Sequence, residues 1–251
     1  MPEKKHSWFG ETWRTALYAG LIAVAIRTFA FEPFNIPSES MLPTLLVGDY
    51  LFVSKFSYGY SRHSLPFSPP LFSGRILASE PERGDVAVFK LPRDNSQDYI
   101  KRIVGLPGDR VQVRDGLLYV NDKLVDRKSA GEFSSPNSFG ASRVYKRYIE
   151  TLPNGKTYSV LDLHADAEGD NTQIFVVPAG HYFAMGDNRD NSLDSRVSPR
   201  HGRGGVGFIP ADNLVGRAEF LFFSTDGSAR LWEPWRWIQA ARFSRFFRSI
   251  E

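Results

Sequence analysis

Two serines one residue apart, Ser38 and Ser40, stand in the run Ile36-Pro37-Ser38-Glu39-Ser40-Met41-Leu42-Pro43-Thr44-Leu45, just behind a long apolar stretch. A lysine, Lys101, stands in a second run, Tyr99-Ile100-Lys101-Arg102-Ile103-Val104-Gly105-Leu106-Pro107-Gly108-Asp109. A serine hydroxyl is a weak nucleophile until a base takes its proton. That base is most often a histidine held by a carboxylate. The histidines His6, His63, His164, His181 and His201 all fall outside these runs, and the chain has no Gly-x-Ser-x-Gly elbow. A lysine can do the same work only when neutral. Lowering its pKa from about 10.4 to 7–8 takes a shift of about three units, roughly 4 kcal/mol of disfavoured charge. Burial among apolar neighbours does this, and Ile100, Ile103 and Tyr99 surround Lys101 in the sequence.

A third run, Gly186-Asp187-Asn188-Arg189-Asp190-Asn191-Ser192-Leu193-Asp194-Ser195-Arg196, follows in order. Together the three runs resemble the bacterial type I signal peptidases, membrane-bound serine–lysine endopeptidases that cut leader peptides from exported proteins. The resemblance reaches from about Arg27 to Ser224 and is weakest between Asp126 and Gln173. It implies that Ser40 is the acylating nucleophile and Lys101 its general base. Ser192 would orient the lysine amine, and the Ser40 N–H and Ser38 hydroxyl would hold the oxyanion. Asp194 and Arg196 would form an ion pair beneath the site, with Asp187 and Arg102 in similar structural roles. Position 39 holds Glu39, where the best-known members commonly have glycine. By matching position, the pockets for small substrate residues would use Phe34, Ile36, Pro37, Met41, Leu45, Leu51, Val88, Tyr99 and Ile100. The implied substrates are secreted preproteins with signal peptides ending in Ala-x-Ala. Such a segment would add as a strand beside Phe34–Pro37 and Asp98–Ile100.

These residues need a scaffold. Thr12 to Phe31 is the one stretch long enough for a membrane anchor, since about 20 helical residues rise roughly 30 Å. Arg14 and Arg27 lie near its ends, where long side chains can reach the interface. Phe29, Phe31 and Phe34 leave no small-x-small exit for removal of a leader, which favours an uncleaved anchor. Lys4, Lys5 and Arg14 before it put the N-terminus in the cytoplasm and the rest outside the bacterial inner membrane. Beyond the anchor the pattern is mainly β, with strand-like runs at 50–53, 85–89, 99–104, 110–125, 145–163, 174–177 and 181–185. Asp115-Gly116, Asn121-Asp122 and Pro153-Asn154-Gly155 mark turns. Stretches 57–82 and 128–142 read as loops. The expected fold is one transmembrane helix followed by a β-barrel-like or folded-sheet catalytic domain with an inserted β-rich subdomain. The division is 1–11 cytoplasmic, 12–31 anchor, 33–110 and 177–224 catalytic core, 111–176 inserted subdomain, and 225–251 an amphipathic C-terminal segment. From Gln239 on, Phe243, Phe246, Phe247 and Ile250 fall at helical spacing opposite Arg242, Arg245 and Arg248. Such a helix either lies on a lipid bilayer or packs on its own domain.

Composition narrows the rest. The net charge of +3 comes without a basic stripe, which argues against nucleic acid as a partner. The absence of cysteine excludes disulfides and thiolate metal sites. Asp187, Asp190 and Asp194 lack the glycine and closing glutamate of a calcium loop, and Gly202, Gly204, Gly205 and Gly207 lack the Lys-Ser/Thr of a phosphate loop. No metal or other cofactor is expected. Two rival readings stand beside the peptidase: a related dyad protease of narrow substrate scope, and an inactive, membrane-tethered β-domain that only binds.

Overall fold

A computed structural model describes residues 8–65, 67–136, 142–164, 167–199, 205–229 and 232–250. Lys4, Lys5, His6, His201, Gly202 and Gly204 lie outside the described residues. Helix α1 (Trp8–Phe29) runs for 22 residues and gives way at once to strand β1 (Phe31–Asn35). Thus Phe31, placed by sequence at the end of the helix, begins the sheet instead. Leu17, Leu21, Ile22, Val24 and Phe29 all leave half or more of their surface exposed. Among the described residues, no helix is long and apolar enough to cross a membrane. The arginines at positions 14 and 27 hold down the mean hydropathy of α1, although Arg27 is already paired with Glu32 at 2.7 Å.

After β1 the chain forms β2 (Asp49–Ser54), β3 (Val86–Lys90) and β4 (Asp98–Gly105). Next come β5 (Arg110–Arg114), β6 (Leu117–Val120), β7 (Lys123–Leu124), β8 (Asp126–Pro136), β9 (Ser142–Thr151), β10 (Thr157–Asp162) and β11 (Phe175–Val176). Strands β12 (His181–Met185), β13 (Ile209–Pro210) and β14 (Leu214–Ser224) follow. The main sheet has the order β1-β2-β14-β3-β4-β12-β13, so the strands before β5 and after β11 interleave. Strands β5 to β11 make two smaller sheets, ordered β11-β5-β6-β7 and β10-β9-β8. Asp115 and Gly116 both take positive φ between β5 and β6, as do Asn121 and Asp122 between β6 and β7. This is the two-residue hairpin geometry that Asx and Gly adopt at least cost.

The stretch 128–142 is not the loop its Ser and Gly content suggests. Strand β8 pairs along most of its length with β9, with a register shift between Ser129 and Glu132. Gly131 sits inside that shift at φ 85°, where a bulge wants a residue free of Cβ strain. The described residues of 57–82 do stay irregular apart from a single 3₁₀ turn at Arg62–Ser64 and a bridge between Tyr60 and Ile76.

The C-terminal segment also differs from its expected form. Its helix, α2, lies earlier, at Pro234–Ala240, because Pro234 can start a helix but not continue one. Beyond it the chain runs along β14, with Phe247 N–H donating to the Leu221 carbonyl at 2.8 Å and Ile250 N–H to Glu219 at 2.9 Å. Arg245 turns inward and forks onto the fully buried Asp49, while Phe243 and Phe247 point to solvent.

Ile36, Met41, Leu45, Leu51, Val53, Val88, Val215 and Leu221 form one buried cluster against the main sheet. The curl of the sheet brings β1 and the start of β4 to face each other across one cleft, although β2, β14 and β3 separate them in the sheet.

Candidate active site

The turn that follows β1 carries Ser38 and Ser40. Burial of Met41, Leu42 and Leu45 pins it from below, and the Asn188 N–H donates to the Ser40 carbonyl at 3.1 Å. The Asn188 side-chain amide donates to the Glu39 carbonyl, also at 3.1 Å. Lys101 comes from β4. That strand pairs with β3 from Asp98 to Arg102 but with β12 only from Arg102 onward. The second edge of Asp98–Lys101 therefore opens onto the cleft, and alternation along the strand turns the Lys101 side chain inward.

The Lys101 ammonium nitrogen Nζ lies 2.7 Å from Ser40 Oγ and 2.9 Å from the Ile100 carbonyl oxygen. Lys101 is almost fully buried. Burial pushes its pKa down from 10.5 to about 8, against the opposing pull of Asp194 and Asp187. Ser38 Oγ stands 3.4 Å from Ser40 Oγ, on the open side of the turn.

Two buried ion pairs lie under this pair. Arg102 forks onto Asp187 at 2.9 and 2.8 Å, and Thr44 donates its hydroxyl to the same carboxylate at 2.5 Å. Arg196 forks onto Asp194 with both contacts at 2.9 Å, and Gly186 N–H donates to Asp194 at 3.0 Å. Burial alone would raise the Asp194 pKa, but Arg196 and the backbone donors hold it below the usual carboxylate range. These contacts fix the 186–196 strap against the turn that bears Ser40.

Ser192 shares the cleft with Ser40 and Lys101, but its hydroxyl is buried and makes no hydrogen bond, so the lysine-orienting bond expected from sequence is not formed. Sequence reasoning missed the role of Gly186, although it begins the third run. A Cβ at that position would fall within 2.2 Å of Ser192 Oγ and 2.5 Å of the Ser40 carbonyl oxygen. Glycine lets the strap close on the turn that bears Ser40. Thr44 and Asn188 were missed as well, because a polar side chain beside a motif carries no signal of where it points.

The cleft holds about 550 Å³, and Phe34, Ile36, Pro37, Val88, Tyr99 and Ile100 line it as expected. Met41, Leu45 and Leu51 do not. They are fully buried behind the wall, where they pack with Ile36 and Val88 and set the depth of the cleft. The far side is polar and includes Glu39, Glu168, Asp190, Asn191 and Ser192. Beyond Glu168, Ser192 and Val197 it leads to a second depression of about 1110 Å³. Among the described residues, no group of three or more His, Asp or Glu side chains could hold a metal ion.

The arrangement can hold a serine hydroxyl against a desolvated amine beside an open strand edge. The chain also matches known proteins. The model of the family described as signal peptidase, peptidase S26, matches residues 9–223. A protein named signal peptidase I from Rickettsia canadensis is 42% identical over 257 residues, covering 96% of this chain and 93% of that protein. One from Rickettsia massiliae is 42% identical over 258 residues, covering 96% and 92%. A crystal structure of a signal peptidase I from Enterococcus faecalis aligns with TM-score 0.33 and 28% identity, over 55% of this chain and 97% of that one.

Proposed function

The chain belongs to the signal peptidase I family of serine endopeptidases, peptidase family S26, and from that premise we propose that Ser40 and Lys101 are its serine–lysine dyad. The 2.7 Å contact between Lys101 Nζ and Ser40 Oγ, with the amine buried, carries this reading.

With Lys101 neutral, Ser40 Oγ–H gives its proton to Nζ as Oγ attacks the scissile carbonyl carbon. The Ser40 N–H and the Ser38 hydroxyl stabilise the oxyanion, consistent with the 3.4 Å spacing of the two hydroxyls. The lysine then passes its proton to the leaving amine and the C–N bond breaks, leaving the ester on Ser40. Water, deprotonated by the same amine, hydrolyses that ester. Ser192, whose buried hydroxyl lacks a hydrogen-bond partner, is available to bond the amine when it turns from Ser40, and Arg102–Asp187 and Asp194–Arg196 keep strap and turn in register.

The substrate is an exported preprotein whose signal peptide ends in Ala-x-Ala. The open edge of Asp98–Lys101 can take an extended segment as an added strand. Phe34, Ile36, Val88, Tyr99 and Ile100 leave room for small side chains only, with Met41, Leu45 and Leu51 behind them. The chemistry calls for no cofactor. We assign residues 33–110 and 177–224 to a catalytic core and 111–176 to an inserted β subdomain; the interleaving of β12, β13 and β14 with β1 to β4 in one sheet supports this.

The enzyme works at the bacterial inner membrane, with α1 as its anchor and the catalytic domain on the extracytoplasmic side. The exposed apolar surface of α1 supports this. So does an aromatic face where Phe31, Phe52, Phe56, Phe220 and Phe222 cluster with ring centroids 4.4–6.5 Å apart. Trp232, Trp235, Ile238 and Phe247 of the C-terminal segment are exposed as well and suit a bilayer surface.

The test is cleavage of a preprotein bearing Ala-x-Ala by the purified protein, beside Ser40→Ala and Lys101→Ala. Cleavage after the second alanine by wild type alone supports the reading; undiminished cleavage by either variant overturns the dyad.

A further inference from the structure

The far side of the cleft has a charge that the dyad does not use. A segment lying along Phe34–Pro37 and Asp98–Ile100 occupies one end of the cleft with its residues before the cut. Past Ser40 it must leave over the far side of the lining, where Glu39, Glu168, Asp190, Asn191 and Ser192 stand, and of these Glu39 is next to the serine in the chain. Glu39 stands between the two serines. Its backbone carbonyl accepts from Asn188 and its carboxylate from the Asn191 amide, each at 3.1 Å. The carboxylate is therefore held at the rim, one residue from the nucleophile, by partners that do not neutralise it. The other charged residues of the lining are Asp98, Glu168, Asp190 and Lys101. Asp98 belongs to the opposite wall and is paired with Lys90 at 2.9 Å, the Asp190 carboxylate is turned to two backbone N–H groups at Leu163 and His164, and Glu168 lies where the cleft meets the second depression. Lys101 sits beneath the serine, not in the exit path.

We propose that Glu39 is a specificity determinant for the residues just after the cut, selecting against acidic side chains and for basic or neutral ones at the first two positions of the mature chain. The inference rests on the peptidase reading above and deepens it. The physical basis is like-charge repulsion in a groove partly shielded from solvent, where a fixed carboxylate acts over several ångströms. An exposed charge would be largely screened by salt. One held by Asn191 beside a bound chain is screened less.

The experiment measures kcat/KM for a series of preproteins identical through Ala-x-Ala and differing only in Lys, Ser or Asp at the first two positions after the cut. Wild type, Glu39→Gln and Glu39→Lys are compared at low and high salt. For wild type at low salt the Lys substrate is expected to exceed the Asp substrate by about 5- to 30-fold, as about one to two kcal/mol of transition-state difference implies. Glu39→Gln should bring that ratio to within about two-fold, and Glu39→Lys should invert it. The readout is the ratio within each variant, so a general loss of activity does not mimic it. A wild-type ratio near one, or one unchanged in Glu39→Gln, overturns the assignment while leaving the peptidase reading intact. Failure of wild type to cut any member of the series overturns that reading itself.

Discussion

The buried amine of Lys101 is the most consequential single group, because the fold must keep a lysine where its charge is unwelcome. If Lys101 is the base proposed above, its pKa of about 8 ties cleavage to its deprotonation, and kcat/KM should rise with pH and level off above about 8. A pH–rate profile flat from 6 to 9 would remove Lys101 as the base. The same shift has a stability cost. The folded-state pKa lies below the ordinary value of 10.5, so between pH 8 and 10.5 the unfolded chain binds more protons and stability climbs as pH rises. Below pH 8 the penalty is fully present, at most about 3 kcal/mol. Lys101→Met should abolish cleavage yet raise the melting temperature at pH 7, by less than that bound implies because the bonds to Ser40 and Ile100 are lost. The gain should vanish near pH 10.5, which thermal unfolding at the two pH values would check. Gly186→Ala is expected to do the opposite. Its Cβ would meet Ser192 Oγ and the Ser40 carbonyl, so activity should fall more than 100-fold with about 1–3 kcal/mol of lost stability. The apolar neighbours of Lys101 were readable in sequence, but the direction of its side chain was not. Nor was the need for glycine at 186, because the clash exists only between segments that fold together.

At the scale of elements, the turns were legible and the walls were not. Asp115-Gly116 and Asn121-Asp122 name their own backbone geometry, and the hairpins sit where those pairs fall. Strand β8 was missed because serine and glycine are as common in bulged edge strands as in loops, and the pairing that separates the two cases comes from β9. Met41, Leu45 and Leu51 were placed on the cleft by position within the resemblance, and matching position does not tell which apolar residues line a cleft and which pack behind it. The C-terminal segment shows what holds elements together. Arg245 forks onto Asp49 at the start of β2 and also donates to the Thr44 carbonyl at 3.0 Å, just behind the nucleophile turn. Removing one partner of a buried pair leaves an uncompensated charge, so Arg245→Met should cost about 3–5 kcal/mol. The double variant Arg245→Met with Asp49→Leu should recover most of it, because replacing both charges removes the penalty. Denaturant unfolding of the single and double variants would decide, and equal losses in both would point to packing rather than charge.

Across the whole molecule, α1 poses the sharpest conflict between composition and placement. Its middle is apolar on all sides and exposed, which water does not favour. Yet Arg14 and Arg27 keep it short of what a membrane crossing ordinarily requires. Both arginines sit near the ends, and Glu32 already offsets Arg27. With their side chains extended to the two interfaces, the apolar middle can still thread a thin bilayer. A spanning α1 predicts that the full chain stays with membranes through an alkaline carbonate wash. Leu21→Arg, which puts a charge at mid-helix at a cost of about 2.5–3.5 kcal/mol, should release much of it. A surface-lying α1 predicts release of the wild type by the same wash. In that case the aromatic face and the exposed Trp235 and Phe247 would hold the enzyme, and salt with Trp235→Ser and Phe247→Ser would detach it. Spanning and lying flat set the cleft at different depths. The wash and the mid-helix variant therefore decide at which depth the open edge of β4 would meet a membrane-bound leader.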